Sequence, residues 1–373
     1  MTDSVPEVDN AQQTGSAKTR KLPIWARGLI LLLVLLIIMT VVWLWLFSEG
    51  QPLRFGREPR IVFMSDRGQS WDLYLAAQDG DMPVNLTNSE SLEALPTWAP
   101  GQERLLFFSN RGQTGEFLFL LDLKANSVQT ISVTLPGSPI PIAFSADGRY
   151  LTVQIEQEQG PGHFIVDLET EQLIDLSEQQ GEVVNFGAWS PDGYRFILAT
   201  STQQGVELFI TDLSGERYQS LTDGSYIAGQ PDWSPDGQKV LFIALLPESS
   251  TSDIFVINLA DEQVTNLTNT FMDNESFPRW SPDGSKIAFG TDRHGNNEVY
   301  VMEATGESQL NLTNHPATES PRGDFAWSPD GQQILFHSDR DNNVEVYRVN
   351  VSGQTLVNVS NSQANDFGAI WIP

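Results

Sequence analysis

The 373-residue sequence contains no cysteine and only four histidines. The lack of cysteine excludes disulfides, a thiol nucleophile and a thiolate metal site. No pair of histidines has metal-ligand spacing such as His-x3-His, so the sequence predicts neither a metal nor a cofactor. These histidines are His163, His294, His315 and His337.

Basic residues are also scarce. The chain has 21 Lys and Arg against 48 Asp and Glu, which gives a formal net charge of −27. Because binding to phosphates requires positive charge, we expect no nucleic-acid partner. Such an acidic surface attracts basic partners or cations, although it also simply keeps a large domain soluble.

Charge is missing altogether from residues 28–48, which read GLILLLVLLIIMTVVWLWLFS. These 21 residues are long enough, as a helix, to cross a hydrocarbon layer of about 30 Å. A cleaved signal peptide is the alternative, but its apolar core is usually about 7–15 residues and ends at small residues. The sequence therefore predicts one uncleaved transmembrane helix.

Four basic residues precede this span and predict its orientation, because positive charge is retained in the cytoplasm. We expect residues 1–27 to be a disordered cytoplasmic tail and residues 49–59 to be a linker. Residues 60–373 would then lie outside the cytoplasm, in a periplasm or at the cell surface. The basic residues are Lys18, Arg20, Lys21 and Arg27.

The phrase Trp-Ser-Pro-Asp-Gly occurs four times after the span, and weaker copies precede and follow these. The aromatic positions 98, 144, 189, 233, 280, 327 and 371 are separated by 44 to 47 residues. A constant period of this size is typical of a propeller, in which each repeat forms one blade of four strands. The whole copies are Trp189–Gly193, Trp233–Gly237, Trp280–Gly284 and Trp327–Gly331.

Each repeat predicts four strands, which we name A to D in chain order. In the clearest repeat, strand A ends at Trp280, strand B is KIAFG at 286–290 and strand C is EVYVM at 298–302. The first B strand, at Arg60, has no A strand before it, and Trp371 ends an A strand with no B strand after it. The sequence thus predicts an all-β, seven-bladed propeller closed by pairing of these two strands.

This repeat resembles the TolB-type propeller repeat. The resemblance rests on Trp-Ser-Pro-Asp-Gly, the Asp-Arg-x-Gly at 292–295, the Glu-Val-Tyr-Val at 298–301 and the Asn-Leu-Thr at 311–313. It covers residues 60–373 and implies the fold. TolB itself has six blades and a preceding α/β domain, where this chain has an apolar span. The resemblance therefore does not transfer TolB's partner binding.

Similar repeats occur in peptidases that carry a hydrolase domain with a Gly-x-Ser-x-Gly elbow. This sequence contains no such pentapeptide, and we assign no catalytic residue. The tryptophans are interpreted as packing between blades and the Asp residues of Ser-Pro-Asp-Gly as turn formers. The B–C loops read as hairpin turns, although Asp339, Asp341 and Glu345 alternate in a calcium-like way.

The candidate binding surface is the face formed by the D–A and B–C loops. The A–B turns on the other face repeat almost unchanged, whereas the D–A loops vary in length and content. A scaffold keeps its turns and varies its binding loops, although tolerated drift also produces such variation. The candidate residues are Phe186, Tyr226, Phe271, Asp273, Glu275, Phe277, Glu319, Asp324 and Phe325.

Three hypotheses for function follow from the sequence. The favoured one is a non-catalytic, membrane-anchored propeller that binds a protein or cell-envelope ligand, possibly basic, through the loop face. A propeller enzyme acting on a sugar or lactone is the second, and it requires a pair of acids at suitable separation. An envelope sensor that signals to the cytoplasm is the third.

Overall fold

The computed structural model describes residues 58–373 with short gaps, and these residues lie within one compact unit, 53–373. The predicted tail and span, and most of the linker, lie outside the described residues. Within the described residues, no helix is both long and apolar enough to cross a membrane. The gaps are 82, 101–103, 112–117, 126, 132, 134, 138, 158–159, 177–182, 204, 215–216, 225, 247–248, 271, 318 and 320–324.

The described chain is an all-β propeller. Five sheets contain four strands each, paired antiparallel in the order A, B, C, D. The first contains β28 (Asp366–Ile372), β1 (Arg60–Ser65), β2 (Asp72–Ala76) and β3 (Val84–Asn85). The second contains β4 (Glu93–Ala99), β5 (Arg104–Ser109), β6 (Leu118–Asp122) and β7 (Ser127–Thr130). The third contains β8 (Pro139–Phe144), β9 (Tyr150–Gln157), β10 (Gly160–Asp167) and β11 (Gln172–Asp175).

Two further four-stranded sheets lie later in the chain. One contains β20 (Glu275–Trp280), β21 (Lys286–Thr291), β22 (Glu298–Glu303) and β23 (Leu310–Asn311). The other contains β24 (Ala326–Trp327), β25 (Gln333–Ser338), β26 (Glu345–Asn350) and β27 (Leu356–Asn358). The strands between 183 and 266 instead form one eight-stranded sheet. They are β12 (Val183–Trp189), β13 (Arg195–Ser201), β14 (Val206–Asp212), β15 (Arg217–Ser220), β16 (Ile227–Trp233), β17 (Lys239–Leu245), β18 (Ser252–Asn258) and β19 (Val264–Asn266).

The prediction of seven separate blades was therefore wrong, because five blades are detected as separate sheets. β14 and β16 pair in parallel through Val206 and Ile227, which merges two repeats into one sheet. The Val206 N–H donates to the carbonyl of Tyr226 at 2.9 Å. This approach requires Gly205, since a Cβ there would lie 2.2 Å from the same carbonyl oxygen.

The predicted pairing between the first B strand and the last A strand is present. β28 pairs antiparallel with β1, and the register places Arg60 opposite Ile372 and Ile61 opposite Trp371. This pairing satisfies the backbone groups on the edges of β1 and β28 that face each other, so the first and last repeats of the chain share one sheet.

The Ser-Pro-Asp-Gly turns form as predicted. The Asp283 carboxylate accepts hydrogen bonds from the Ser281 hydroxyl at 2.6 Å and the Ser285 N–H at 3.0 Å. These bonds lower the pKa of Asp283 to about 2. Gly284 adopts φ 70°, a conformation that favours glycine. The equivalent Ser–Asp bonds join Ser190 to Asp192, Ser234 to Asp236 and Ser328 to Asp330.

The tryptophans pack between blades, also as predicted. Trp371 and Trp280 are buried. The Trp371 indole N–H donates to the carbonyl of Ala326, and that of Trp327 donates to the carbonyl of Arg279, both at 3.2 Å. Each accepting residue lies directly before the tryptophan position of the preceding repeat. The tryptophan therefore joins adjacent A strands as well as filling the core between sheets.

His163 on β10 is buried, and neither ring nitrogen has a hydrogen-bond partner within the described part of the chain. It lies on the same face of the strand as Ile165, which packs in an apolar cluster with Phe196 and Leu198 of the next repeat. Its register partner is Gln154, whose amide donates to Glu156 at 3.2 Å. Burial lowers the pKa of His163 because the charged imidazolium loses its hydration.

The buried neutral state of His163 predicts acid sensitivity. As pH falls through about 6.5, the unfolded chain binds the proton before the folded chain does, so stability is lost. We expect His163→Leu to reduce the fall in unfolding free energy between pH 7 and pH 5, measured by urea unfolding. His315→Leu, which removes a histidine from a different repeat, is measured alongside as the control. An unchanged slope in the His163 variant would contradict the prediction.

Candidate functional site

The structure describes six of the nine candidate residues of the loop face in full. Phe271 and Asp324 lie outside the described residues, and the side chain of Phe186 is outside them as well. Glu275 and Glu319 occupy the same place in two successive repeats, where each D–A loop enters strand A. Their surroundings show what this position does.

Glu275 is buried at the start of β20 and is already paired. Its Oε1 accepts hydrogen bonds from Arg293 at 3.0 Å and from the Thr291 hydroxyl at 3.2 Å. The Thr270 hydroxyl donates to its Oε2 at 2.9 Å. Burial raises the pKa of Glu275, whereas Thr270 and Arg293 lower it by stabilising the carboxylate.

Glu319 has the same arrangement in the next repeat. Arg340 donates to its Oε1 at 2.8 Å, and Ser338 lies beside both. Its Oε2 is buried and has no hydrogen-bond partner among the residues that the structure describes. Burial consequently raises the pKa of Glu319 to about 7, although Arg340 opposes this shift.

Four repeats contain this pairing, which we call the arginine clamp: an arginine of the B–C loop that binds a carboxylate at the start of strand A. The two earlier copies complete the set. The pairs are Arg67–Asp366 at 3.1 Å, Arg111–Glu93 at 2.8 Å, Arg293–Glu275 at 3.0 Å and Arg340–Glu319 at 2.8 Å. All four carboxylate side chains are fully buried in the protein.

Aromatic rings hold each clamp arginine in place. The Arg293 guanidinium carbon lies 5.6 Å from the centre of the Phe289 ring and 4.7 Å from that of Tyr300. These rings come from strands B and C of the same repeat. Contacts of this kind attract the cation to the ring face. The other three clamp arginines have equivalent rings at Phe63 and Tyr74, Phe107 and Phe119, and Phe336 and Tyr347.

The residue before the arginine secures the same loop through its side-chain oxygen and its backbone N–H. The Asn274 N–H donates to Asp292 Oδ1 at 2.7 Å, and the Asp292 N–H donates to the Asn274 carbonyl at 3.3 Å. Asp66 and Asn110 bind Asn365 and Leu92 in the same way. The Asp-Arg or Asn-Arg pair thus joins the D–A loop to the B–C loop of one repeat.

This role was not predicted from the sequence, which suggested hairpin turns for these loops. The signal was nevertheless present: the Asp-Arg or Asn-Arg pairs recur at 66, 110, 292 and 339, and an acid recurs before strand A. Glu275 and Glu319 therefore stand in a repeated ion pair, which is a structural arrangement. Whether they also contact a ligand remains a proposal.

Within the calcium-like alternation at 339–345, the carboxylates of Asp341 and Glu345 accept hydrogen bonds from protein groups. Glu345 Oε1 accepts from the Asn343 amide at 2.9 Å and the Ser362 N–H at 3.0 Å. The Asp341 carboxylate accepts from the Tyr347 hydroxyl. Over the described residues, no group of three or more His, Asp or Glu side chains is placed to hold a metal ion.

The aromatic candidates lie in different settings. Phe325 is buried, and Phe277 packs against the same apolar cluster at the inner side of β20. Tyr226 is half-buried against the core of the eight-stranded sheet, and burial raises its pKa. Asp273 is half-buried, and its carbonyl accepts from the Thr270 hydroxyl at 3.2 Å.

One corner of the loop face exposes large apolar side chains, and we call it the apolar corner: Ile227, Leu246 and Met272. Their exposed fractions are 54%, 36% and 86%. Ile227 pairs with Leu245, the neighbour of Leu246, and Leu245 pairs with Ser252. The Ser252 N–H donates to Asn274, two residues after Met272, at 3.4 Å. These contacts place the three residues at the D–A and B–C loop ends of two adjacent repeats, the part of the chain that also contains Tyr226 and Asp273.

Comparisons with known proteins agree with this fold. A family model described as the TolB beta propeller domain matches residues 196–373. The Tol-Pal system protein TolB of Francisella tularensis subsp. mediasiatica (strain FSC147) is 23% identical over 252 residues. The match covers 66% of this chain and 56% of that protein, so the chain spans little more than half of that relative's length. These matches support the propeller family.

Solved structures with different functions share the architecture. A putative TolB from Agrobacterium tumefaciens has a TM-score of 0.51 and 16% identity, covering 85% of this chain and 99% of that one. An oligogalacturonate lyase in complex with manganese has a TM-score of 0.61 and 15% identity, covering 79% and 87%. At such identities the likeness shows the fold alone.

The arginine clamp predicts a large stability effect. Removing one partner of a buried ion pair costs about 3–5 kcal/mol, because the other charge is left without compensation. We expect Glu275→Gln and Arg293→Leu each to lower the unfolding free energy by this order, and the double variant by less than their sum. Urea unfolding of all four proteins measures the coupling.

The matched control for the clamp is Lys286→Met, which breaks the half-exposed pair with Glu303. It should cost about 0–1 kcal/mol. Additive effects of Glu275→Gln and Arg293→Leu would show that the pair contributes nothing beyond its separate side chains.

Proposed function

We propose that this chain is a non-catalytic, TolB-like propeller that binds a protein partner through the loop face, centred on the apolar corner. The observation that carries the proposal is the exposure of Ile227, Leu246 and Met272 at the loop ends of two adjacent repeats. Clustered apolar side chains on a soluble surface commonly mark a protein interface.

The distribution of clamps supports the same location. The B–C loops that join β9 to β10, β13 to β14 and β17 to β18 contain no arginine. The loops that contain Ile227 and Leu246 are thus held without this ion pair, whereas the D–A loop that contains Met272 ends at the clamped Glu275. Loops that bind a partner gain from adaptability, whereas the clamped repeats supply a rigid frame.

Charge indicates the kind of partner. Asp223 and Asp273 border the apolar corner, and the whole chain has a formal net charge of −27. A partner with apolar side chains and basic neighbours would complement this surface and be attracted to it over a distance. The partner is therefore proposed to be a basic protein or an envelope component with such a segment.

The proposal includes the organisation predicted from the sequence. We propose that residues 28–48 anchor the chain in a membrane and that the propeller is extracytoplasmic.

The apolar corner can be tested by replacing its three residues together with serine: Ile227, Leu246 and Met272. We expect the full chain to capture a saturable partner from envelope extracts, and the triple variant to weaken this binding at least about tenfold, since burial of each side chain contributes of order 1 kcal/mol or more. Quantitative pull-down measures the loss.

A matched triple variant serves as the control: Val264→Ser, Leu310→Ser and Leu356→Ser, at exposed positions of the D strands. It should bind like the wild type. Equal loss in both variants would locate binding away from the apolar corner, and the absence of any saturable partner would contradict the proposed function itself. Thermal unfolding verifies that both variants fold.

A further inference from the structure

The A strands form the inner wall of the propeller, and one position on them differs between repeats. The adjacent A strands β16 and β20 contact each other. The residue directly before each tryptophan position is small or apolar in most repeats, but it is Asp232 on β16 and Arg279 on β20. Opposite charges therefore face each other on two adjacent inner strands. The remaining residues at this position are Thr97, Ala143, Ala188, Ala326 and Ile370.

Asp232 is fixed by the backbone of the neighbouring strand. Its Oδ2 accepts the Trp280 N–H at 2.8 Å. The residue retains some exposed surface, yet protein surrounds its carboxyl group. This burial raises the pKa of Asp232 to about 6, against the opposing charge of Arg279 and the Trp280 hydrogen bond.

Arg279 is half-buried and lies close enough to Asp232 to affect it electrostatically. No carboxylate of the described residues lies within the 4.0 Å of an ion pair with it, and its Nη1 donates to the Pro278 carbonyl at 3.3 Å. This contrasts with the clamp arginines, each of which binds a buried carboxylate. The Arg279 guanidinium thus retains donors for an external anion.

Gln230 and Phe277 complete the surroundings. The Gln230 side-chain oxygen accepts the Phe277 N–H, so its amide NH2 group is directed away from that bond. Both residues have positive φ, 50° and 51°, at the bulge that precedes Asp232 and Arg279 on their strands. The equivalent positions Leu95 and Gly368 also have positive φ, 54° and 60°, so this bulge is a feature of the repeat that sets the direction of the residues after it.

We propose that these residues form a binding site on the inner wall for a small carboxylate that carries hydroxyl groups next to it. The Arg279 guanidinium binds the ligand carboxylate in a bidentate manner, through two parallel N–H···O hydrogen bonds. Asp232 Oδ1 accepts from a ligand hydroxyl, and the Gln230 amide donates to another. The inference does not rest on the proposed protein partner, because the site uses different residues and a different kind of ligand.

D-Glucuronate and D-glucose provide a matched pair of probes, because they differ only in the carboxylate. Isothermal titration or ligand-observed NMR on the full chain should detect glucuronate binding and at least about tenfold weaker binding of glucose. Arg279→Gln should reduce glucuronate affinity about tenfold or more. Arg279→Lys should reduce it by less, since lysine keeps the positive charge but cannot form the bidentate pair of hydrogen bonds. Asp232→Asn should weaken binding of both probes. Its amide oxygen still accepts the Trp280 N–H, so the NH2 group takes the place of Oδ1 and cannot accept a hydrogen bond from the ligand hydroxyl.

Arg195→Gln is the control, since Arg195 pairs with Asp192 beside a Ser-Pro-Asp-Gly turn. It should leave glucuronate affinity unchanged. Equal affinity for glucose and glucuronate would overturn the proposal, as would unchanged affinity in Arg279→Gln or no measurable glucuronate binding. Unfolding midpoints of all variants establish that a lost signal is not a lost fold. Loss of partner capture without loss of glucuronate binding would contradict only the proposed function.

Discussion

Packing of tryptophan between consecutive repeats is the interaction on which the rest of this structure depends. A single four-stranded repeat cannot bury both of its apolar faces, so each needs its neighbours. Trp371 fills one such interface and also binds the Ala326 carbonyl of the preceding A strand. Because this interface forms wherever the repeat occurs, the same element fixes the period, the core and the position of the inner strands.

The clamps add a second level of order to this frame. An arginine bound to a buried carboxylate and held between aromatic rings, as in Arg293 with Glu275, fixes how the D–A loop enters the next strand. Two residues of the apolar corner, Ile227 and Leu246, lie in a repeat without a clamp arginine, whereas Met272 lies in a loop that a clamp secures. Clamped and unclamped loops therefore meet at this corner, so a rigid loop borders adaptable ones where we propose recognition.

Much of the fold could be predicted from the sequence because repetition shows each signal several times. The turn at Asp283, the burial of Trp280 and the pairing of Arg60 with Ile372 all follow from local motifs and counting. The union of two repeats at Gly205 could not, since it depends on one close backbone approach. The candidate site was harder to predict. Glu275 was expected to contact a ligand, and its actual partner Arg293 lies in another loop. Asp232 and Arg279 were not singled out, because the strands that contain them have the sequence pattern of core strands.

The register of β28 on β1 has a mechanical consequence. Arg60, where β1 begins, lies opposite Ile372, where β28 ends, so a pull on these two positions acts at the same end of the strand pair. Antiparallel strands loaded in this way separate like a zipper, one hydrogen-bonded pair after another, instead of resisting together in shear. The pairing that completes this sheet is consequently the place where tension between residues 60 and 372 would first open the protein.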